Sequence, residues 1–200
     1  MNQDTKANLH AEMTDAADAA ARTVGGVSAS QFKLATPCTD WDVRALANHL
    51  IVWTSHSLAA RARGESVGQA LIDRDFVAEP GFAAAYREQL DRALDAWSDP
   101  AVWQGTLDVM GAATPAADVA ALNLAEMVLH GWDLAVATGQ RYTVSDAAAG
   151  AALAAVAANA ELFRQYEGFA EPVEVAPGAP VLDQVLALSG RDPGWTDADR

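Results

Sequence analysis

Five stretches of the 200-residue chain carry apolar residues at helical spacing, and alanine supplies much of its 51% hydrophobic content. Alanine has the highest helix propensity, whereas the β-branched residues that favour strands are scattered along the chain. This pattern disfavours a large sheet. Amphipathic helices joined by modest loops bury their apolar faces against one another. The sequence therefore predicts an all-α protein, a four-helix bundle with an additional helix and an irregular C-terminal tail.

Start and stop signals place the ends of the five helices. Thr39 is the expected N-cap of the second helix, with Asp42 at the position of a capping box. Thr114 is the expected N-cap of the fourth, with Pro115 as its first residue. The fifth is expected to start at Ser145. The predicted spans are about residues 6–24, 39–63, 81–97, 114–138 and 145–166.

Two segments outside these helices also have a predicted structure. Residues 102–110 show period-two character and are expected to be extended. The proline- and glycine-rich end of the chain contains a short helical pattern at residues 181–188. We expect one bundle domain over residues 1–166 and a tail over residues 167–200, whose short helix packs on the bundle.

The formal net charge of −14 restricts the partners of the chain. A surface this negative repels phosphate backbones and anionic membranes. No run reaches about 18 uninterrupted apolar residues, so no transmembrane span is expected. The start of the chain lacks the basic region and apolar core of a signal peptide. We therefore expect a cytoplasmic protein with neither nucleic-acid nor membrane partners.

Glu126 and His130 are the main chemical signal in the sequence. They are four residues apart in NLAEMVLHGWDLA, inside the fourth predicted helix. That spacing puts two side chains on one face, one turn apart, with Cβ atoms about 6 Å from each other. Carboxylate and imidazole both bind divalent metals, so the pair can point at one ion. A third ligand from a facing helix would complete an open site.

His49, in WDVRALANHL on the second predicted helix, is the candidate third ligand. Trp53 lies one turn further on and is expected to form a wall of the same pocket. His56 is seven residues from His49, and so about 10.5 Å along the helix axis on the same face. We expect His56 to line the pocket rather than to bind the same ion.

A polar stripe on the fourth helix extends the candidate site. Asn123, Glu126, His130 and Asp133 follow one another at intervals of three, four and three residues among apolar neighbours. Buried carboxylate and imidazole groups need partners, and either a divalent cation or a hydrogen-bond network can supply them. Asp133 is expected either to orient a ligand as a hydrogen-bond acceptor or to pair with a base such as Arg44. The spacing alone leaves these alternatives open.

Cys38 is the only cysteine, so no disulfide forms within the chain. It lies eleven residues before His49, about 16 Å along a helix axis, whereas a zinc–sulfur bond is about 2.3 Å long. We expect Cys38 to be a small buried side chain rather than a ligand. The sequence contains no G-x-S-x-G, P-loop or G-x-G-x-x-G motif, and no catalytic residue can be assigned from it.

Three strings, TPCTDWDVRALANHL, LAEMVLHGWDLAVATGQ and PVLDQVLALSGRDP, resemble the DinB-like superfamily over nearly the whole chain. Within it, the chain is similar to stand-alone relatives of the metal-binding domain of mycothiol-dependent maleylpyruvate isomerase. The resemblance implies a DinB-like four-helix bundle with one divalent metal. Carried onto matching positions, the implied metal ligands are His49, Glu126 and His130.

The resemblance also implies a chemistry. Zinc is the expected metal, although nickel, iron and cobalt suit the same ligands. A low-molecular-weight thiol such as mycothiol would bind at the open metal position as the thiolate nucleophile. The expected partners are this thiol and a small electrophile. Bundles of this kind often dimerise, so a homodimer is a further expectation.

The isomerase carries an additional C-terminal domain that contributes to substrate handling, whereas here we expect only a tail of a few dozen residues after the fifth helix. The resemblance therefore implies a broader thiol-dependent S-transferase or isomerase acting on a small electrophile. The alternative is a non-catalytic metal-binding stress-response protein of the DinB type. A helical protein with a buried polar network and no metal is the third alternative.

Overall fold

The computed structural model is mostly helical, with one small two-stranded sheet, and it describes residues 3–109 and 111–196, the first two of them by backbone alone. This confirms the predicted all-α, DinB-like fold. In chain order its α-helices are α1 (Gln3–Gly25), α2 (Val43–Leu50), α3 (Leu58–Ala62), α4 (Gln69–Ile72), α5 (Phe82–Trp97), α6 (Ala116–Ala137), α7 (Asp146–Gln165) and α8 (Val181–Leu188).

Four helical rods form the bundle. Helices α2 and α3 are joined by a π-helical segment, Ile51–Ser57, into one continuous rod. Helix α1 packs against both α5 and α6, and the α2–α3 rod packs against the same two helices. Helix α7 packs on α6 and α1, and α8 packs on α7. The additional helix and the tail therefore cover one side of the bundle.

Two of the predicted helix starts are wrong. Helix α2 begins at Val43 because the carboxylate of Asp42, not the hydroxyl of Thr39, accepts the hydrogen bond from the backbone N–H of Ala45 at 2.9 Å. Thr114 does not cap α6, because it lies in a strand and the helix begins two residues later, at Ala116. Ser145 does cap α7, as predicted, and accepts from the N–H of Ala148.

An antiparallel hairpin precedes α6. Strand β1 (Thr106–Val109) pairs with strand β2 (Ala112–Pro115), so that Leu107 faces Thr114 across the pair. The predicted extended segment is thus confirmed over β1, whereas residues 102–104 form a turn of 3-10 helix. Met110, at the predicted end of that segment, lies outside the described residues.

Side-chain hydroxyls accompany the π-helical segment. The hydroxyls of Thr54 and Ser55 donate to the carbonyls of Leu50 and Ile51, each at 2.6 Å. Such bonds to the carbonyl four residues earlier compete with the regular helical ladder and distort helices. π-Helical turns are also frequent at functional sites. The segment begins two residues after His49, on the rod that carries the candidate metal ligand.

Helices α6 and α7 are long and apolar enough to cross a membrane, each with a mean hydropathy of 1.2. The apolar window of α6 is 72% buried inside the protein and that of α7 is 33% buried. Core helices of soluble proteins have the same length and composition. The two helices are therefore only weak indications of a membrane span.

Candidate metal centre

Helices α2 and α6 bring His49, Glu126 and His130 together. Nε2 of His49 lies 2.9 Å from Oε2 of Glu126, and Nε2 of His130 lies 3.6 Å from the same oxygen. One ligand atom from each residue lies within 4.8 Å of the other two, and all three residues are partly buried. No other group of three such residues is found among residues 3–109 and 111–196.

These distances suit a divalent ion bound by nitrogen and oxygen. Bonds of about 2.0–2.2 Å place two ligand atoms on a tetrahedral ion about 3.3 Å apart. The two measured separations fall on either side of that value. Three protein ligands leave one tetrahedral position open, which is typical of a catalytic rather than a structural zinc site.

Glu126 is an anion at neutral pH. Burial by itself would raise the pKa of its carboxyl, but the charge of His130 and the hydrogen bond from His49 outweigh burial and lower the pKa to about 2. The carboxylate therefore needs no deprotonation before it can bind a cation.

The ring nitrogen of His130 that faces away from Glu126, Nδ1, is hydrogen-bonded to a carboxylate. This N–H donates to Oδ2 of Asp133 at 3.0 Å, which leaves Nε2 facing Glu126. This carboxylate–histidine arrangement is usual behind metal-ligating histidines. Asp133 is fully buried and pairs with Arg191 of the C-terminal segment, not with Arg44. Arg44 pairs with Asp75 instead.

Trp41 covers the two histidines. Its ring centroid lies 4.4 Å from that of His49 and 5.5 Å from that of His130. The residue comes just before the N-cap of α2. The hydroxyl of Thr36 lies 2.9 Å from the carbonyl oxygens of both Cys38 and Trp41 and shares its proton between them, which folds the segment back. Sequence reasoning missed this role of Trp41, although its position beside the capping aspartate was visible.

A cavity of about 200 Å³ opens beside the three residues. Trp53 lines it, with its ring centroid 6.3 Å from that of His49. Asn123 lines it as well. Four apolar side chains complete the walls beside the polar ones. The full lining is His49, Trp53, Ser57, Arg61, Val109, Val119, Leu122, Asn123, Glu126 and Phe163.

Asn123 ties α6 to the π-helical segment. Its Nδ2 donates to the backbone carbonyl of Trp53 at 2.9 Å. Its Oδ1 is buried, and among the described residues it has no hydrogen-bond donor. Asn123 therefore holds the backbone of Trp53 in place through its Nδ2. Its Oδ1 stays available as a hydrogen-bond acceptor on a residue that lines the cavity.

Arg61 is the cation of the cavity. Its Nε donates to the hydroxyl of Ser57 at 3.1 Å. Within residues 3–109 and 111–196, no carboxylate lies within ion-pair distance of its guanidinium, although acidic residues outnumber basic ones by 27 to 13 in the chain. Burial lowers the pKa of Arg61 and the charge of Glu126 acts against this, but a guanidinium stays protonated at neutral pH. The cavity thus combines apolar walls with a positive group.

His56 does not reach this cavity. It lies in a second cavity and stacks on Phe76, with ring centroids 5.0 Å apart. The prediction assumed α-helical spacing between His49 and His56. The π-helical turn holds more residues than an α-helical turn, so His56 lags by about a quarter of a turn.

Cys38 lies closer to the site than the sequence suggested. Burial raises the pKa of its thiol to about 11, and the charges of Asp133 and Glu126 act in the same direction while Arg191 opposes them. Because α2 starts only at Val43 and the preceding segment folds back, a distance measured along a continuous helix does not apply. Cys38 is partly exposed and contributes no atom to the cluster of three ligands.

Comparison with known proteins agrees with this geometry. The model of the family described as the mycothiol maleylpyruvate isomerase N-terminal domain matches residues 13–135. Two uncharacterized proteins of Mycobacterium tuberculosis, from strains CDC 1551 / Oshkosh and ATCC 25618 / H37Rv, are each 29% identical over 182 residues. Each match covers 88% of this chain and 93% of the relative. No solved structure gives a significant match.

Proposed function

Because the chain belongs to the family of mycothiol maleylpyruvate isomerase N-terminal domains, we propose that it binds a divalent metal at His49, Glu126 and His130 and works as a thiol-dependent enzyme. It would use a low-molecular-weight thiol of the mycothiol type to transfer sulfur to a small electrophile or to isomerise it. The single observation that carries the proposal is the position of three ligand atoms, within 4.8 Å of one another, at the edge of a cavity. Zinc is the expected ion, and the cytoplasm, where such thiols are found, is the expected compartment.

The candidate ligands and the residues around them would have different roles in this chemistry. A metal bound there would supply a positive charge that favours a thiolate over a thiol. Glu126, His49 and His130 would bind the ion. Asp133 accepts a hydrogen bond from Nδ1 of His130, which leaves Nε2 of that ring for the ion. Trp41 and Trp53 shield the histidine rings from bulk water.

The cavity beside the ligands is where the electrophile would bind. Its volume of about 200 Å³ is below the range of about 300–1,000 Å³ that is usual for ligand pockets, so an electrophile bound there would be small. The apolar walls suit a carbon skeleton, and Arg61 suits a negatively charged or strongly polar end. The thiol of Cys38 stays protonated at neutral pH, which favours an added thiol over this side chain as the nucleophile.

Metal content is the first test. Protein purified without chelators or metal-affinity resin is expected to contain about one equivalent of a divalent metal. His49→Ala and Glu126→Gln should lose it. His56→Ala is the matched control, because this histidine sits on the same rod but lines another cavity. Less than about a tenth of an equivalent in the wild type, without uptake of added zinc, would contradict the proposal.

Turnover is the second test. The zinc-loaded protein is incubated with mycothiol and a panel of small electrophiles, and loss of electrophile is followed with and without the thiol. We expect thiol-dependent loss that disappears in His49→Ala and persists in His56→Ala. Metal binding without any turnover across the panel would instead support a non-catalytic metal-binding protein of the DinB type.

A further inference from the structure

Arg191 clamps the fully buried carboxylate of Asp133 with two parallel hydrogen bonds. Its Nε donates to Oδ1 at 2.9 Å and its Nη2 donates to Oδ2 at 2.8 Å. The side chain of Asp133 is 0% exposed and that of Arg191 is 10% exposed. Two parallel bonds fix the plane of a carboxylate as well as its position, which one bond cannot do.

The clamped carboxylate fixes the ring of His130 in turn. Oδ2 of Asp133, the oxygen bonded to Nη2 of Arg191, also accepts from Nδ1–H of His130 at 3.0 Å. A carboxylate accepts but does not donate, so this 3.0 Å contact, which is shorter than the 3.5 Å from Nδ1 to Nη2 of Arg191, favours a ring proton on Nδ1. Nε2 is then unprotonated in the neutral ring and faces Glu126. The orientation and the tautomer of His130 thus depend on a residue 61 positions away.

The backbone around Arg191 is shaped to deliver this side chain. The N–H of Arg191 donates to the carbonyl of Leu186, and its Nη1 donates to the hydroxyl of Ser189. Gly190 has a φ of +84°, and a Cβ atom there would lie 2.6 Å from Cβ of Ala170. Only glycine fits both conditions. The end of α8 is therefore pinned in a conformation that points Arg191 into the bundle.

We propose that Arg191 is a positioning residue, through which the C-terminal segment sets the tautomer and rotation of the metal-binding histidine His130. The segment lies beyond residues 13–135, the part matched by the family model, so the site is completed from outside that part. The inference rests on the proposed function in that His130 serves as a ligand. The alternative is a purely structural role, in which Arg191 only neutralises a buried charge.

Arg164 provides a matched control for the structural role. It also ties the tail to the bundle, because it donates to the carbonyls of Ala170 and Leu188. It makes no contact with Asp133 or His130 among the bonds described. Loss of Arg164 should therefore loosen the tail without changing the histidine.

Zinc affinity is the first measurement, made by competition with a chromophoric chelator. Arg191→Gln is expected to weaken zinc binding about ten-fold or more, the usual effect of losing a group behind a metal ligand. Arg191→Lys should weaken it less, because lysine keeps the charge but not the two parallel bonds. Arg164→Gln should lower the melting temperature and leave zinc affinity unchanged. If Arg191→Gln does not fold, Arg191→Lys decides the question.

The tautomer of His130 is the second measurement, and it needs no metal. In metal-free protein labelled with ¹⁵N-histidine, near pH 8, the His130 signals should show a proton on Nδ1, with the assignment made from their absence in His130→Gln. Arg191→Gln should shift them toward a mixture of tautomers. Wild-type zinc affinity and unchanged His130 signals in Arg191→Gln, or an equal loss in Arg164→Gln, would overturn the inference. If the wild type binds no zinc, the proposed function fails while the tautomer measurement still tests Arg191.

Discussion

The ring of Tyr142 lies directly against the backbone of Gly131, the residue that follows His130. A Cβ atom at position 131 would lie 2.8 Å from Cε2 and 3.0 Å from the hydroxyl oxygen of Tyr142. The ring cannot move away easily, because it is buried and its hydroxyl donates to the carbonyl of Met127 at 3.0 Å. A glycine in the middle of α6 is thus explained by close packing.

Gly131→Ala is therefore expected to destabilise the protein, although alanine favours helices. Overpacking of this kind costs about 1–3 kcal/mol, and the gain in helix propensity of about 1 kcal/mol offsets only part of it. The control is Gly150→Ala in α7, where a Cβ atom meets nothing within 4 Å. That change should stabilise the protein by about 0.5–1 kcal/mol. Urea unfolding measures both, and a stabilised Gly131→Ala would contradict the packing argument.

Trp41 should report metal binding through its fluorescence. The ring lies over both candidate histidine ligands, so a paramagnetic ion such as Co²⁺ bound between them would quench its emission. Trp41→Phe is expected to lose the larger share of the Co²⁺-dependent quenching. Trp103→Phe is the control, since Trp103 packs edge-on against Trp97 in another part of the core. Quenching of the same size in Trp41→Phe and the wild type would place the ion elsewhere.

The thiol of Cys38 should react slowly at neutral pH. Burial, together with the charges of Asp133, Asp40 and Glu126, raises its pKa to about 11. The thiolate is the reactive form, and at pH 7 it makes up only about one part in ten thousand. In metal-free protein, alkylation by iodoacetamide should therefore accelerate with pH up to about 11. Chain unfolded in guanidinium is the control, with a midpoint near 8.5; a midpoint that low in the folded protein would be inconsistent with the burial of this thiol.

Arg61 should select among electrophiles. If the electrophile occupies the cavity as proposed, Arg61→Met is expected to lower kcat/KM for anionic substrates by about 10–100-fold, the value of a charged hydrogen bond. Neutral substrates of similar shape should change little. Arg63→Met is the control, because Arg63 pairs with exposed Glu65. An equal loss for charged and neutral substrates would point to a structural role of Arg61.

The bundle and the three candidate ligands could be predicted because their signals are local. The spacing of Glu126 and His130 puts them on one face of a helix whatever the rest of the chain does. His49 required only one further assumption, that its helix faces theirs. The family resemblance pointed to the same three residues, and the structure brings them together.

The surroundings of the ligands could not be predicted, because they depend on contacts between distant parts of the chain. Arg191 lies in a tail motif that was recognised, but nothing local shows that its partner is Asp133 rather than a surface acid. Trp41 reaches the histidines only because the segment before α2 folds back. His56 was misplaced because helical spacing was extended through residues 51–57, where the structure has a π-helical turn.

The π-helical turn also sets the direction of everything that follows it on the rod. If residues 51–57 took ordinary α-helical spacing with no residue removed, His49 would stay opposite Glu126, but the residues after the segment would turn by roughly 100°. Arg61 would then leave the cavity, and His56 would lose Phe76. Removing one residue at the same time would nearly cancel this turn, because a π-helical segment is close to an α-helix with one residue inserted. Among related sequences, a regular α-helix of unchanged length would therefore mark proteins that keep the three candidate ligands but not the cavity beside them.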